Sequence, residues 1–172
     1  MAGVLKSCTV RNDEFYISFL IVAKGDLCEK IAESLHENAK ERNRRVAVHQ
    51  CESVTEVLQA RPNLGVDFII FAFDCRVRHA LSQLEEAILQ VDDHFILTGC
   101  ACLVDCSSEP SAMGQRFHEW QLRNNYNLYI FPVKVSDSKD CIELGNRIIN
   151  VAETKLGLSS GIPLLDSIHR YE

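Results

Sequence analysis

The amino-acid sequence predicts an α/β domain with a mostly parallel sheet of about five strands and helices on both faces. Three observations lead there. Short apolar runs alternate with longer stretches whose apolar residues recur at helical spacing, the order of repeated strand–helix units. The last four residues of the first run (19–22) and nearly all of the third (66–73) are continuously apolar, as strands covered on both sides require. The length of 172 residues, with 47% apolar and 24% charged residues, suits one domain with a substantial core.

The first strand is expected over Glu14–Val22. A helix follows over Asp26–Glu41, with Leu27, Ile31 and Leu35 on one face and Glu and Lys on the other. The second strand covers Arg45–Gln50. Ser53–Ala60 is a short helix whose Ser53 and Glu56 fit a capping box, and Pro62 and Gly65 close it. The third strand is Val66–Phe73. Arg76–Val91 carries Val77, Leu81, Leu84, Ile88 and Val91 at helical spacing. The run His94–Val104 reads as the fourth strand, Pro110–Asn124 as a more polar helix, and Asn127–Val135 as the fifth strand. Asp140–Leu156 is the last helix, with Ile142, Leu144, Ile148, Ile149 and Val151. A single domain is expected over 1–172. Residues 157–172 form a tail that packs back or docks on a partner, because apolar residues return there after Gly161 and Pro163.

The net charge of −6 argues against non-specific nucleic-acid binding by this chain alone, which needs a basic surface. The longest apolar stretch, Phe68–Phe73, is far below the roughly 20 residues of a spanning helix, and the N-terminus lacks a secretory pattern. An intracellular chain is expected. Its eight cysteines then read as free thiols packed as small hydrophobes. The cluster Cys100, Cys102, Cys106 has no second knuckle or well-spaced histidines, unlike a structural zinc site.

Chemistry in such a fold sits beyond the carboxyl ends of the strands. After the first strand comes Ala23-Lys24-Gly25-Asp26-Leu27-Cys28-Glu29-Lys30, where a nucleotide-binding α/β domain places G-x-x-x-x-G-K-S/T. Ala23 stands for the first Gly, Cys28 for the second, Glu29 for the Lys and Lys30 for the Ser/Thr. Cys28 crowds a backbone wrap, Glu29 carries the wrong charge sign, and Lys30 removes the hydroxyl that would hold Mg²⁺. The framework therefore reads as small-GTPase-like (P-loop-like), with the phosphate loop degenerate and no cofactor expected. The short link 53–65 leaves no room for a switch segment. At the fourth strand's end, Asp105, Cys106 and Ser108 stand where N-K-x-D would read guanine.

A rival reading uses Asp74 as the phosphoryl acceptor of a receiver-like domain, with Lys134 on the last strand. A second rival is a divergent active small GTPase. Against the receiver, the place after the first strand offers Asp26 alone, a poor divalent site. Aspartates at strand ends also serve as turn formers and helix caps. No nucleophile–base–acid set is legible, and Arg42, Arg44 and Arg45 read as one solvated turn.

One further pattern runs through the middle of the chain. Val66-Asp67-Phe68-Ile69-Ile70-Phe71-Ala72-Phe73-Asp74 is followed by Ser82-Gln83-Leu84-Glu85-Glu86-Ala87-Ile88-Leu89-Gln90-Val91-Asp92-Asp93, then Phe95-Ile96-Leu97, and the tail holds Gly161-Ile162-Pro163-Leu164-Leu165. In these stretches the chain resembles the centromere protein M family, small-GTPase-like pseudo-GTPase subunits of the inner kinetochore. The resemblance covers 66–105 and 157–169. It implies a non-enzymatic structural role in kinetochore assembly, chromosome segregation and mitosis, in the nucleus, without nucleotide. It implies direct binding to centromere protein I, in one complex with centromere proteins H and K, through the positions of Leu97 and Leu165. Ile162 and Leu164 add apolar anchors of the kind that dominate interfaces.

Overall fold

The chain was analysed as a computed structural model, which describes residues 4–5, 16–74, 76–77, 79–107, 112–126 and 128–158. The elements in chain order are β1 (Tyr16–Val22), α1 (Asp26–Glu41), β2 (Arg45–Cys51), α2 (Val54–Ala60), β3 (Phe68–Phe73), α3 (Ala80–Ile88), α4 (Asp93–Thr98), β4 (Ala101–Asp105), α5 (Ala112–Asn124), β5 (Tyr129–Pro132) and α6 (Ser138–Lys155). The sheet has five strands in the order β2-β1-β3-β4-β5, and all four pairings are parallel. This is a doubly wound order in which the direction of winding reverses between β1 and β3.

The continuous apolar runs become the central strands, as their composition requires. Ile17, Phe19, Leu20, Ile21, Phe68, Ile69, Ile70 and Leu103 are fully buried. Phe19 meets Phe68 edge to face, with ring centroids 6.0 Å apart. Each such side chain contributes about 1.5–3 kcal/mol through removal of its apolar surface from water. Next to them, the buried Asp67 carboxylate accepts from the Ser18 N–H at 2.8 Å, which offsets part of the cost of its burial.

The expected strand over His94–Val104 is corrected to a helix, a turn and a shorter strand. The Asp92 carboxylate caps α4 by accepting from the His94 N–H at 2.9 Å. Gly99, at φ +72°, stops the helix in the left-handed region, and β4 starts at Ala101. Phe95 and Ile96 are buried while Leu97 and Thr98 face solvent, a helical and not an alternating pattern. The cap was legible in Asp92; the apolar run after it masked the period.

Smaller departures have equally local causes. Ser53 caps α2, but its hydroxyl accepts from the Thr55 N–H at 3.2 Å, and the Glu56 N–H donates to the Ser53 carbonyl. The expected pairing of Ser53 Oγ with the residue three positions on is therefore replaced by a shorter one. The third helix starts at Ala80 rather than Arg76. Leu5 is buried and bridges Val91: its N–H donates to the Gln90 carbonyl and its own carbonyl accepts from the Asp92 N–H, both at 3.0 Å. Among the described residues, no helix is long and apolar enough to cross a membrane.

Candidate functional site

The loop after β1 closes on itself. The Ala23 N–H donates to the Cys51 carbonyl at 3.0 Å, and the Cys28 N–H donates to the Gly25 carbonyl at 3.2 Å. The Cys28 thiol points inward, with its Sγ 3.2 Å from the Ala23 carbonyl and 3.8 Å from that of Cys51. Burial pushes this thiol's pKa up. Ala23 and Cys28 are buried, whereas Glu29 and Lys30 lie exposed on α1. Lys30 reaches across to the Val135 carbonyl at 3.2 Å. Asp26 and Glu29 place two carboxylates in the first turn of α1, where they offset the positive end of the helix dipole.

Beside that loop lies a cleft of about 590 Å³ at the carboxyl ends of β1 and β3, the point where the winding reverses. Its size falls in the range of small-molecule sites. Val22, Phe71, Ala72 and Phe73 form the floor. One wall is residues 52–56, leading into α2; the other is Ala80, Gln83, Leu84 and Ala87 of α3 with Gln90 just beyond its end. The Thr55 hydroxyl and the Gln90 side-chain oxygen meet at 2.8 Å and tie the two walls. Glu52, Glu56 and Glu86 also line the cleft, with Lys24 and with Asp74, whose charge Arg76 offsets.

Asp74 lies just beyond β3, as the sequence suggests, but Arg76 holds it. The guanidinium donates to both carboxylate oxygens, at 2.6 to 3.1 Å, and the Arg76 N–H donates to Oδ1 at 2.9 Å. Those bonds lower the Asp74 pKa. Asp105 accepts from the Ser107 N–H, and Asp137 caps α6 through the Lys139 N–H, both at 2.9 Å. The strand-end aspartates thus serve turns and caps. Receiver-like phosphotransfer is corrected on this ground: its acceptor is engaged by Arg76, and Asp26 stands without an acidic neighbour before it.

Of the thiols, Cys100 and Cys102 are buried packing groups, and burial alone drives the Cys102 pKa far up. Cys8 and Cys75 lie outside the described residues. Among the described residues, no group of three His, Cys, Asp or Glu side chains is arranged to hold a metal.

The structure separates the other expected site residues from the cleft. Leu97 is 82% exposed on α4, which leads into the amino end of β4, the edge opposite the cleft. Ile162, Leu164 and Leu165 lie outside the described residues. The cleft's walls were missed in the sequence, although one signal was there. Gln83 and Glu86, three residues apart on α3, and Gln90 just beyond it place polar groups beside Leu84 and Ala87.

No family model matches the chain, and no curated protein matches it. Among solved structures, a rubredoxin oxygen:oxidoreductase from Desulfovibrio gigas matches 82% of this chain at 14% identity and a TM-score of 0.42. The general stress protein 14 of Treponema denticola, in complex with FMN, matches 81% at 9% identity and a TM-score of 0.41. A flavo di-iron protein of Thermotoga maritima matches 88% at 13% identity and a TM-score of 0.41. The chain spans 37% of the length of the first and third of these and 99% of the second.

These findings correct the readings that rested on the resemblance. No family model and no curated protein matches the chain, so no sequence-level match supports the centromere protein M family. Membership of that family, the scaffold role in kinetochore assembly, chromosome segregation and mitosis, and the statement that the chain performs no chemistry are withdrawn. Binding to centromere proteins I, H and K, and a nuclear location, lose the argument that carried them.

Proposed function

We propose that this chain is a small-molecule-binding α/β domain, and that its cleft takes an uncharged or cationic organic ligand with an apolar body. The single observation that carries the reading is the cleft at the β1/β3 reversal, with an apolar floor and charged lining residues that are predominantly acidic. Ligands in open α/β sheets bind at such a reversal. Two unit charges 4 Å apart interact by about 4 kcal/mol at the intermediate dielectric of a protein surface, so a phosphate beside these carboxylates is disfavoured. The first turn of α1, already offset by Asp26 and Glu29, offers it little in return. The finer reading of the framework as small-GTPase-like rests on the loop 23–30 alone and implies the same exclusion.

The test is an NMR fragment screen on the full chain with neutral, cationic and anionic aromatic compounds, including riboflavin, FMN and GTP with Mg²⁺. The expected result is shifts at Thr55, Leu84 and Ala87 with neutral or cationic compounds, and riboflavin favoured over FMN. Tighter binding of FMN or GTP, or shifts clustered away from these residues, overturns the proposal.

A further inference from the structure

Leu5 is held beside one wall of the cleft. It is buried and forms a parallel bridge to Val91. Its N–H donates to the Gln90 carbonyl and its carbonyl accepts from the Asp92 N–H, both at 3.0 Å. Leu5 thereby clamps residues 90–92, the turn that joins the end of α3 to the Asp92 cap of α4. The same turn is drawn toward α3 from its other side. The Gln90 N–H donates to the Ala87 carbonyl at 3.2 Å and the Val91 N–H to the Ile88 carbonyl at 3.1 Å.

Gln90 is the residue that the clamp and the cleft share. Its carbonyl is engaged by Leu5, and its side-chain oxygen accepts from the Thr55 hydroxyl at 2.8 Å, which ties one wall to the other. That bond is exposed, whereas Val22, Phe71 and Ala72 of the floor are buried, so the tie lies on the solvent side of the cleft. A single neutral hydrogen bond in contact with water is a weak tie. Ordering a glutamine side chain to make it costs rotamer freedom, so the bond holds best when the backbone that carries the side chain is already fixed. The Leu5 bridge supplies this fixing: burial of its apolar side chain anchors the turn from which Gln90 projects.

We infer that Leu5 regulates the cleft through Gln90. Docked on the turn 90–92, Leu5 is a positioning residue that keeps Gln90 within reach of Thr55 and the two walls tied. Undocked, it frees Gln90, and the walls part. The consequence for ligand exchange, faster entry and exit with Leu5 undocked, rests on the cleft being the binding site proposed above. The coupling between Leu5 and the tie does not.

The experiment measures access to the ligand-free cleft. The full chain, with labelled alanine methyl groups, is titrated with the neutral nitroxide TEMPOL, and paramagnetic broadening is read at Ala72 and Ala87 in the cleft and at Ala39 and Ala152 on α1 and α6. Full-length Leu5→Ala, Thr55→Val and the double variant are compared with the parent. Leu5→Ala and Thr55→Val should each raise the broadening at Ala72 and Ala87 about three- to tenfold, the population change that loss of one neutral hydrogen bond produces. Ala39 and Ala152 should not change. The double variant should be no more open than the stronger single one, because both act on one bond. Leu5→Val, a smaller truncation, reports the same coupling with a smaller rise if Leu5→Ala does not fold. Four outcomes overturn the inference: no rise with Leu5 truncated, no rise in Thr55→Val, an equal rise at Ala39 and Ala152, or effects of the two substitutions that multiply. Because TEMPOL reads the mouth without any bound compound, failure of this coupling and failure of riboflavin to bind are separate results.

Discussion

The two faces of the sheet are closed in opposite ways. On one, α1 and α6 meet with no space between them. A Cβ built on Gly145 would lie 2.7 Å from both the carbonyl oxygen and the hydroxyl of Ser34. Asn38 is buried and donates to the Ser34 and Ile142 carbonyls at 2.8 and 2.9 Å, which fixes the two helices against each other. Glu153, also buried, accepts from Arg42 at 3.1 Å and from Arg44 at 2.8 Å. On the other face, the walls at α2 and α3 touch through the Thr55–Gln90 bond but leave a cleft of about 590 Å³ between them. One sheet thus carries a face whose contacts set stability and a face whose vacancy suits a ligand, and substitutions on the two should separate those properties.

The largest effect is expected at Gly145. Gly145→Val forces branched atoms into backbone that cannot retreat, and overpacking of this kind costs about 3 kcal/mol. Urea unfolding monitored by circular dichroism measures it. A loss below about 0.5 kcal/mol would show that the α1–α6 contact is looser than its geometry, and the contrast between the faces would fail.

Cys106, just beyond the end of β4, gives the next effect. Burial pushes the Cys106 thiol up to about 12, helped by the charges of Asp105 and Asp74, against an ordinary 9.0. The folded state therefore holds this proton more tightly than the unfolded one. Its contribution is fully present below pH 9.0 and is lost as pH rises toward about 12. At roughly pH 10.5 the loss amounts to about 2 kcal/mol. Cys51, also pushed up to about 12 by burial, acts in the same direction. Unfolding midpoints of the parent chain and of Cys106→Ala, followed from neutral to alkaline pH, should diverge in this window. Parallel curves would remove the assignment.

Glu153→Gln tests the closed face through its charges. The variant keeps the shape and removes the Glu153 carboxylate from Arg42 and Arg44. Both guanidinium groups retain some contact with water, so the loss should be about 1.5 kcal/mol rather than the cost of a fully enclosed pair. High salt should erase little of it, because buried partners are weakly screened. If salt alone reproduces the loss, the pair behaves as a surface contact.

The same contrast explains what the sequence disclosed. Continuous apolar runs such as Phe68–Phe73 reveal the central strands, since burial on both sides leaves no alternation to misread. The apolar run after Asp92 misled, because six residues of helix and five of strand carry one unbroken hydrophobic signal and the period is too short to resolve. The loop 23–30 was legible only as a departure from the phosphate-loop pattern at Cys28, Glu29 and Lys30. The cleft beside it did not show, because Thr55, Ala87 and Gln90 are brought together by the reversal of strand order, a property of topology and not of any local motif.

Ala87→Trp has the smallest expected effect on stability and the largest on binding. Ala87 is half-buried on the cleft wall of α3, where the space in front of it is open. An indole there meets no packed backbone, in contrast to any side chain at Gly145, so the stability change should stay within about 0.5 kcal/mol. It would fill much of the space above Phe71 and Phe73, and neutral aromatic ligands should lose at least about tenfold in affinity, roughly 1.4 kcal/mol. Parallel calorimetric titrations and thermal unfolding of the parent chain and the variant read both quantities. Unchanged affinity would place the ligand outside the cleft. A stability loss near that of Gly145→Val would mean that the second face is as closed as the first.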